Sequence, residues 1–117
     1  MNFAFDIDGT ITAAPAYYAA LMTSLRKCGH GVHVLTGTMQ PVATDGHYEL
    51  RDTQLRGCGI TPSMYDHLHI VTSPGNVEQK AQYCLDHDIG FVFEDSLLYT
   101  EAIRAVGVTV VTHPYSS

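Results

Sequence analysis

The chain has no tryptophan and only three cysteines, Cys28, Cys58 and Cys84. They are odd in number, far apart and form no CxxC, so neither a disulfide scaffold nor a zinc knuckle is expected. They read instead as small buried residues in a protein of the reducing cytosol. Bases are scarce too: six Lys and Arg stand against twelve Asp and Glu, for a net charge of −6. That balance argues against a broad basic groove for nucleic acid, because such affinity rests on Lys and Arg contacts to phosphates; it leaves room for a contact to a single phosphate group. No apolar run reaches the length needed to span a bilayer, and the opening Met-Asn-Phe-Ala-Phe-Asp lacks the basic and long apolar regions of an export signal. The expected setting is cytoplasmic, with no membrane partner. Repeats, low-complexity segments and linkers are absent as well.

What remains is a length of 117 residues, 45% of them hydrophobic, which suits one domain over 1–117 and leaves no room for a second. Short apolar runs at 2–7, 32–36, 67–72, 90–94 and 108–112 read as strands. The runs at 91–93 and 108–111 are almost continuously apolar, as in a parallel sheet covered on both faces. Helical spacing lies between them. Pro15 opens one helix, with Tyr18, Leu21, Met22 and Leu25 on a face and Gly29 after it. Residues 47–57 form a second. A third opens on a capping-box-like Asn76 and Gln79, and the fourth covers about 97–105. The order β-α-β-α-β-α-β-α-β predicts a three-layer, doubly wound α/β fold with a mostly parallel sheet of about five strands. Ligands in such folds lie at the carboxyl ends of the strands.

Four groups of polar residues fall at those ends. The first strand runs into Asp6-Ile7-Asp8-Gly9-Thr10. Two carboxylates two residues apart on an extended chain point the same way and repel unless a cation or proton separates them. A hard cation such as Mg²⁺ suits these oxygens and keeps water and phosphate as its other ligands. Gly9 permits a tight turn after the pair. The second strand ends in Thr36-Gly37, where a hydroxyl and backbone N–H groups can bind a phosphoryl oxygen. Lys80, near the start of the third helix, can neutralise both carboxylate and phosphate. The fourth strand ends in Glu94-Asp95-Ser96, where Asp95 or Ser96 can also cap the next helix. Each group alone has an ordinary structural explanation: a solvated turn, a strand end, a solvent-facing lysine, a helix cap.

Together, in order and in register, these groups resemble the four signatures of the haloacid dehalogenase (HAD) superfamily: DxDGT at Asp6–Thr10, then Thr36, Lys80 and Glu94-Asp95. The resemblance implies a HAD-like Rossmannoid fold and a Mg²⁺-dependent phosphomonoester hydrolase. Asp6 would be the nucleophile that forms an aspartyl-phosphate, and Asp8 the general acid and base. The Asp6 and Asp95 carboxylates and the Asp8 backbone carbonyl would hold the metal, with Glu94 behind them. Thr36, Gly37 and Lys80 would bind phosphate. The spacings from Asp6 to Thr36 and from Thr36 to Lys80 hold no cap domain, so the implied enzyme is of the capless (C0) type. Its substrate would be a nucleotide, a sugar phosphate or a phosphorylated polymer end such as that of a nucleic acid. A partner copy in a homo-oligomer would supply a lid. Leu35-Thr36-Gly37, Arg51-Asp52-Thr53 and the stretch from Leu55 to Gly59-Ile60 add a similarity to the phosphatase domain of polynucleotide kinase–phosphatases. One departure stands out. Family members often carry a further acid four or five residues after the last signature Asp, and here those positions hold Tyr99 and Thr100, with Glu101 one further. Two alternatives are a receiver-like phosphoacceptor signalling domain and a catalytically silent HAD-fold binding protein. The receiver lacks its acceptor Asp, since the third strand ends in Val71-Thr72-Ser73.

Other polar residues have plainer readings. His67 and His69 alternate on a strand without a third zinc ligand at sensible spacing. His47 and Arg51 read as a solvated helix face beside the entrance, and Tyr17 and Tyr18 as packing residues. His113 and Tyr115 fall in a tail expected to be partly disordered.

Overall fold

The structure is a computed structural model, described here for residues 1–112; the expectation for His113 and Tyr115 lies outside that range. Five strands, β1 (Asn2–Phe5), β2 (Gly31–Gly37), β3 (His67–Val71), β4 (Ile89–Phe93) and β5 (Thr109–Val111), alternate with four helices, α1 (Pro15–Lys27), α2 (Asp45–Gly57), α3 (Asn76–Asp86) and α4 (Leu97–Ala105). All strand pairs are parallel, and the sheet order is β3-β2-β1-β4-β5. The three-layer α/β fold without a cap is therefore what the chain adopts, with an all-parallel sheet.

Alternation along the strands sends neighbouring side chains to opposite faces. Ala4, Leu35, Val71, Val92 and Val110 pack with Ala81, Cys84 and Ile103, under α3 and α4. Phe5, Val32 and Val34 pack with Tyr18, Met22 and Leu55, under α1 and α2. Tyr18 meets Phe5 and Phe93 edge-on, at 5.9 and 6.0 Å between ring centres. Tyr17, its neighbour, is exposed instead. Of the cysteines, Cys84 is buried, Cys58 half-buried and Cys28 exposed, and all are free thiols.

Two helix starts differ from the sequence expectation. Thr44 caps α2, accepting from the His47 N–H, while His47 Nδ1 accepts from the Thr44 N–H; the helix thus begins two residues early. His47 is a capping residue as well as an entrance residue. At α3 the expected Asn76–Gln79 box does not form. Gly75, in the left-handed region at φ 92°, is the cap, and both side chains are used elsewhere. Gln79 grips the end of β3 through Thr72, accepting from its N–H at 3.0 Å and donating to its C=O at 3.0 Å.

The strand order fixes where a ligand can lie. The chain builds outward from β1 to β2 and β3, then returns to place β4 on the other side of β1. Loops from adjacent strands leave in opposite directions there, so a crevice opens at the carboxyl ends of β1 and β4.

Candidate functional site

Asp6 follows β1 directly, and its N–H donates to the Phe93 carbonyl at 3.0 Å, which continues the β1–β4 ladder by one rung. Glu94 and Asp95 follow β4. The two loops thus meet across the crevice. One carboxylate oxygen from each of Asp6, Glu94 and Asp95 lies within 4.8 Å of the others. Lys80 reaches this trio from α3. Its ammonium donates to Asp6 Oδ1 at 3.1 Å and to Glu94 Oε1, and it is fully buried, as is Glu94. Lysine is almost never buried unless paired, and here two carboxylates pair it.

The electrostatics follow from that burial. Removal from water pushes the Asp6 carboxyl up, against the pull of Lys80 and with the help of Glu94, to about 8. Burial by itself would lower the Lys80 ammonium, but the charges of Asp6 and Glu94 overcome it and hold Lys80 above its ordinary value. Asp95 is raised by partial burial and by the Glu94 charge.

Glu94 is saturated. Its second oxygen accepts from the N–H groups of Asp95 and Ser96, at 3.1 and 3.2 Å. Glu94 thereby ties down the start of α4, whose cap residue Ser96 makes no side-chain capping bond. The expected capping by Asp95 or Ser96 is replaced by this buried carboxylate.

Gly9 has a specific reason to be glycine. Its φ is +79°, and a Cβ there would lie 1.9 Å from Asp95 Oδ2. The Asp95 carboxylate rests on the backbone of the β1 turn. Gly37 is similar: a Cβ would stand 2.8 Å from the Tyr99 hydroxyl. Tyr99 covers Lys80 with its ring, the ammonium 4.0 Å from the ring centre, and its hydroxyl accepts from Asn76 Nδ2 at 2.6 Å. A cation over an aromatic face is attracted by the ring quadrupole. The position where the sequence pattern called for an acid thus carries an aromatic lid on the lysine. The available signal was its spacing, one helical turn beyond Asp95.

Asp8 does not join the trio. β1 ends at Phe5 and residues 7–10 turn, so Asp6 and Asp8 are not on one extended segment. Asp8 swings to the opposite layer, where Oδ2 accepts from Arg51 at 2.9 Å and Oδ1 from Gln54 Nε2 at 2.6 Å. Burial alone would raise this carboxyl, but the hydrogen bonds from Gln54 and Arg51 and the Arg51 charge bring it below its ordinary value. Arg51 also donates to the Gly37 carbonyl at 2.7 Å. It links the β1 turn to the end of β2, which is more than a solvated helix face. Thr36 is buried at the tip of β2. Beside Arg51 and Gln54 lies a cavity of about 260 Å³, completed by Thr38, His47, Leu50 and Ile70.

No family model matches the chain, and no curated protein matches it. Among solved structures it is similar to the crystal structure of a protein from the universal stress protein family from Burkholderia pseudomallei, with a TM-score of 0.53 and 12% identity over 97% of this chain and 95% of that one. At that identity the likeness shows the fold, a Rossmann-like α/β sandwich of the same extent.

This finding corrects the family expected from the motifs. The neighbour is a universal stress protein, not a haloacid dehalogenase. The expected Mg²⁺-dependent phosphomonoesterase falls with that family, as do the capless phosphatase reading, the polynucleotide phosphatase similarity and both HAD- and receiver-based alternatives. The chemical roles belong to that family and not to these residues. The physical weakness of the inference is visible at Asp8: a carboxylate held by two donors and kept ionised has no proton ready to give. The four signatures describe where polar residues sit in a doubly wound sheet, and that placement belongs to the fold.

Among the described residues, no helix is long and apolar enough to cross a membrane.

Proposed function

We propose that the carboxyl end of the sheet binds a small phosphorylated ligand together with Mg²⁺. The observation that supports this most is the fully buried Lys80 set in a trio of carboxylates at the β1–β4 crevice. The donor set is all oxygen, which suits a hard divalent cation. Both Glu94 oxygens already accept from Lys80 or the backbone, which leaves Asp6 and Asp95 the better-placed ligands for a metal. Mg²⁺ is commonly held by one or two carboxylates, with water and phosphate oxygens completing its shell. Glu94 then positions Lys80 and the Asp95 loop. Bound metal would supply positive charge for the phosphate, Thr36 and the Gly37 turn would hold its oxygens, and Lys80, buried beneath Tyr99, would hold Asp6 in place. The organic part would lie toward the cavity beside Arg51, whose size suits a ligand smaller than the usual 300–1,000 Å³ pocket takes. A phosphorylated nucleic-acid end is a second ligand of the same chemistry, disfavoured by the net charge of −6. Three free thiols accord with a cytoplasmic setting.

The test is thermal unfolding with Mg²⁺, with inorganic phosphate, and with both, for the wild type and Asp95→Asn. Mg²⁺ is expected to raise the wild-type Tm and phosphate to raise it further only when Mg²⁺ is present, by ligand linkage. Asp95→Asn should lose most of both shifts. A folded wild type that responds to neither addition would end this reading.

A further inference from the structure

A second cluster of titratable groups lies away from the carboxylates, where the C-terminal half of α3 meets β2 and β3. His33 is buried on β2, and its ring stands 4.8 Å from His67 on β3 and 5.6 Å from His87 at the end of α3. Tyr83, on the sheet-facing side of α3, stacks on His87 at 4.0 Å and on His69 at 4.8 Å. Its hydroxyl lies 2.8 Å from His33 Nδ1. α3 is thus fastened to the sheet by a stack of rings. The same helix carries Lys80 one turn earlier.

We propose that this stack is an acid-sensitive latch: proton uptake by His33 and His69 separates the C-terminal half of α3 from β2 and β3. His33 is the buried imidazole of the group, faced by His67 and His87 at the exposed rim, and little around it can answer a charge on its ring. The one acid facing His33 is Asp66, and it is already held by Arg26 at 2.9 Å and by the Val32 N–H. The other titratable neighbours of Tyr83 are Cys84 and Tyr48, neither of which offers an anion near neutrality. Burial, then the charges of His67 and His87, lower His33 to about 4, and burial with His87 lowers His69.

The sign follows by linkage. A histidine whose folded pKa is depressed contributes stability above its unfolded pKa, near 6.5, and loses it as the pH falls toward the folded value. Between pH 7.5 and 5.0, His33 alone should raise the unfolding constant about thirtyfold. The experiment is urea unfolding at those two pH values, with hydrogen exchange of the α3 amides, for the wild type, His33→Gln and His87→Gln. Titrations elsewhere are common to all three and cancel in the difference. His33→Gln should remove most of the thirtyfold acid effect. In the wild type, amides of residues 83–87 should lose protection at pH 5.0 before those of β1. Should His33→Gln not fold, His87→Gln decides, because His87 is one of the groups that lower His33 and its removal must shrink the acid loss. An acid loss equal in wild type and variant overturns the latch, as does exchange that rises equally in α3 and β1.

Discussion

The two faces of the sheet handle the same kind of charge pair in opposite ways. Under α3, Lys80 is fully buried with Glu94 and pairs with Asp6, whose side chain is only 10% exposed. Under α2, Arg51 meets Asp8 at 2.9 Å, but the Asp8 side chain is 63% exposed. The two carboxylates are two residues apart in one turn. The difference is in their surroundings: breaking a buried pair strands an unsolvated charge, whereas breaking a surface pair returns both partners to water. The buried arrangement therefore fixes geometry, and the exposed one adjusts it.

The sharpest way to test that contrast is Lys80→Met, which keeps the volume and leaves Asp6 and Glu94 without their cation. A loss of about 3–5 kcal/mol is expected in urea unfolding. A loss under about 1 kcal/mol would mean that the two sites are alike. Next in size is Gly9→Ala. The new Cβ meets Asp95 Oδ2 at a backbone conformation that disfavours side chains, so about 1–3 kcal/mol should be lost. The Mg²⁺-dependent shift in Tm should fall with it. The smallest effect belongs to Arg51→Met, at no more than about 1 kcal/mol. This variant also has a pH signature. The Asp8 carboxyl is lowered in the folded protein, so its contribution is present above the unfolded pKa and lost as the pH falls through the folded value. Arg51→Met should flatten that acid limb without changing the neutral plateau by more than the stated amount.

Much of the architecture was legible beforehand because it depends on local patterns. The five apolar runs became the five strands, with boundaries shifted by one or two residues, and Pro15 opened α1 as its fixed φ allows. The order of polar residues at strand ends was also readable, and Asp6, Lys80, Glu94 and Asp95 do converge. The family and the phosphatase activity attached to that order were not. A motif records residue spacing, and one doubly wound fold hosts many unrelated functions. The Asn76–Gln79 box failed for a related reason. A capping pattern names available side chains, but Tyr99 and Thr72 competed for these two from distant parts of the chain.

The sequence by itself determined the α/β sandwich, its mostly parallel sheet and the acids that stand at the strand ends. These follow from periodicity and chain order, which act over a few residues at a time. Only the tertiary structure decided that Asp6 and Asp8 part company, that Asp95 rests on Gly9, that Tyr99 closes over Lys80, and that His33, His67, His69 and His87 gather around Tyr83. Each is a contact between layers, set by which helix lies over which strand tip and how much water that excludes. Burial of that kind is what changes the energy of a charge.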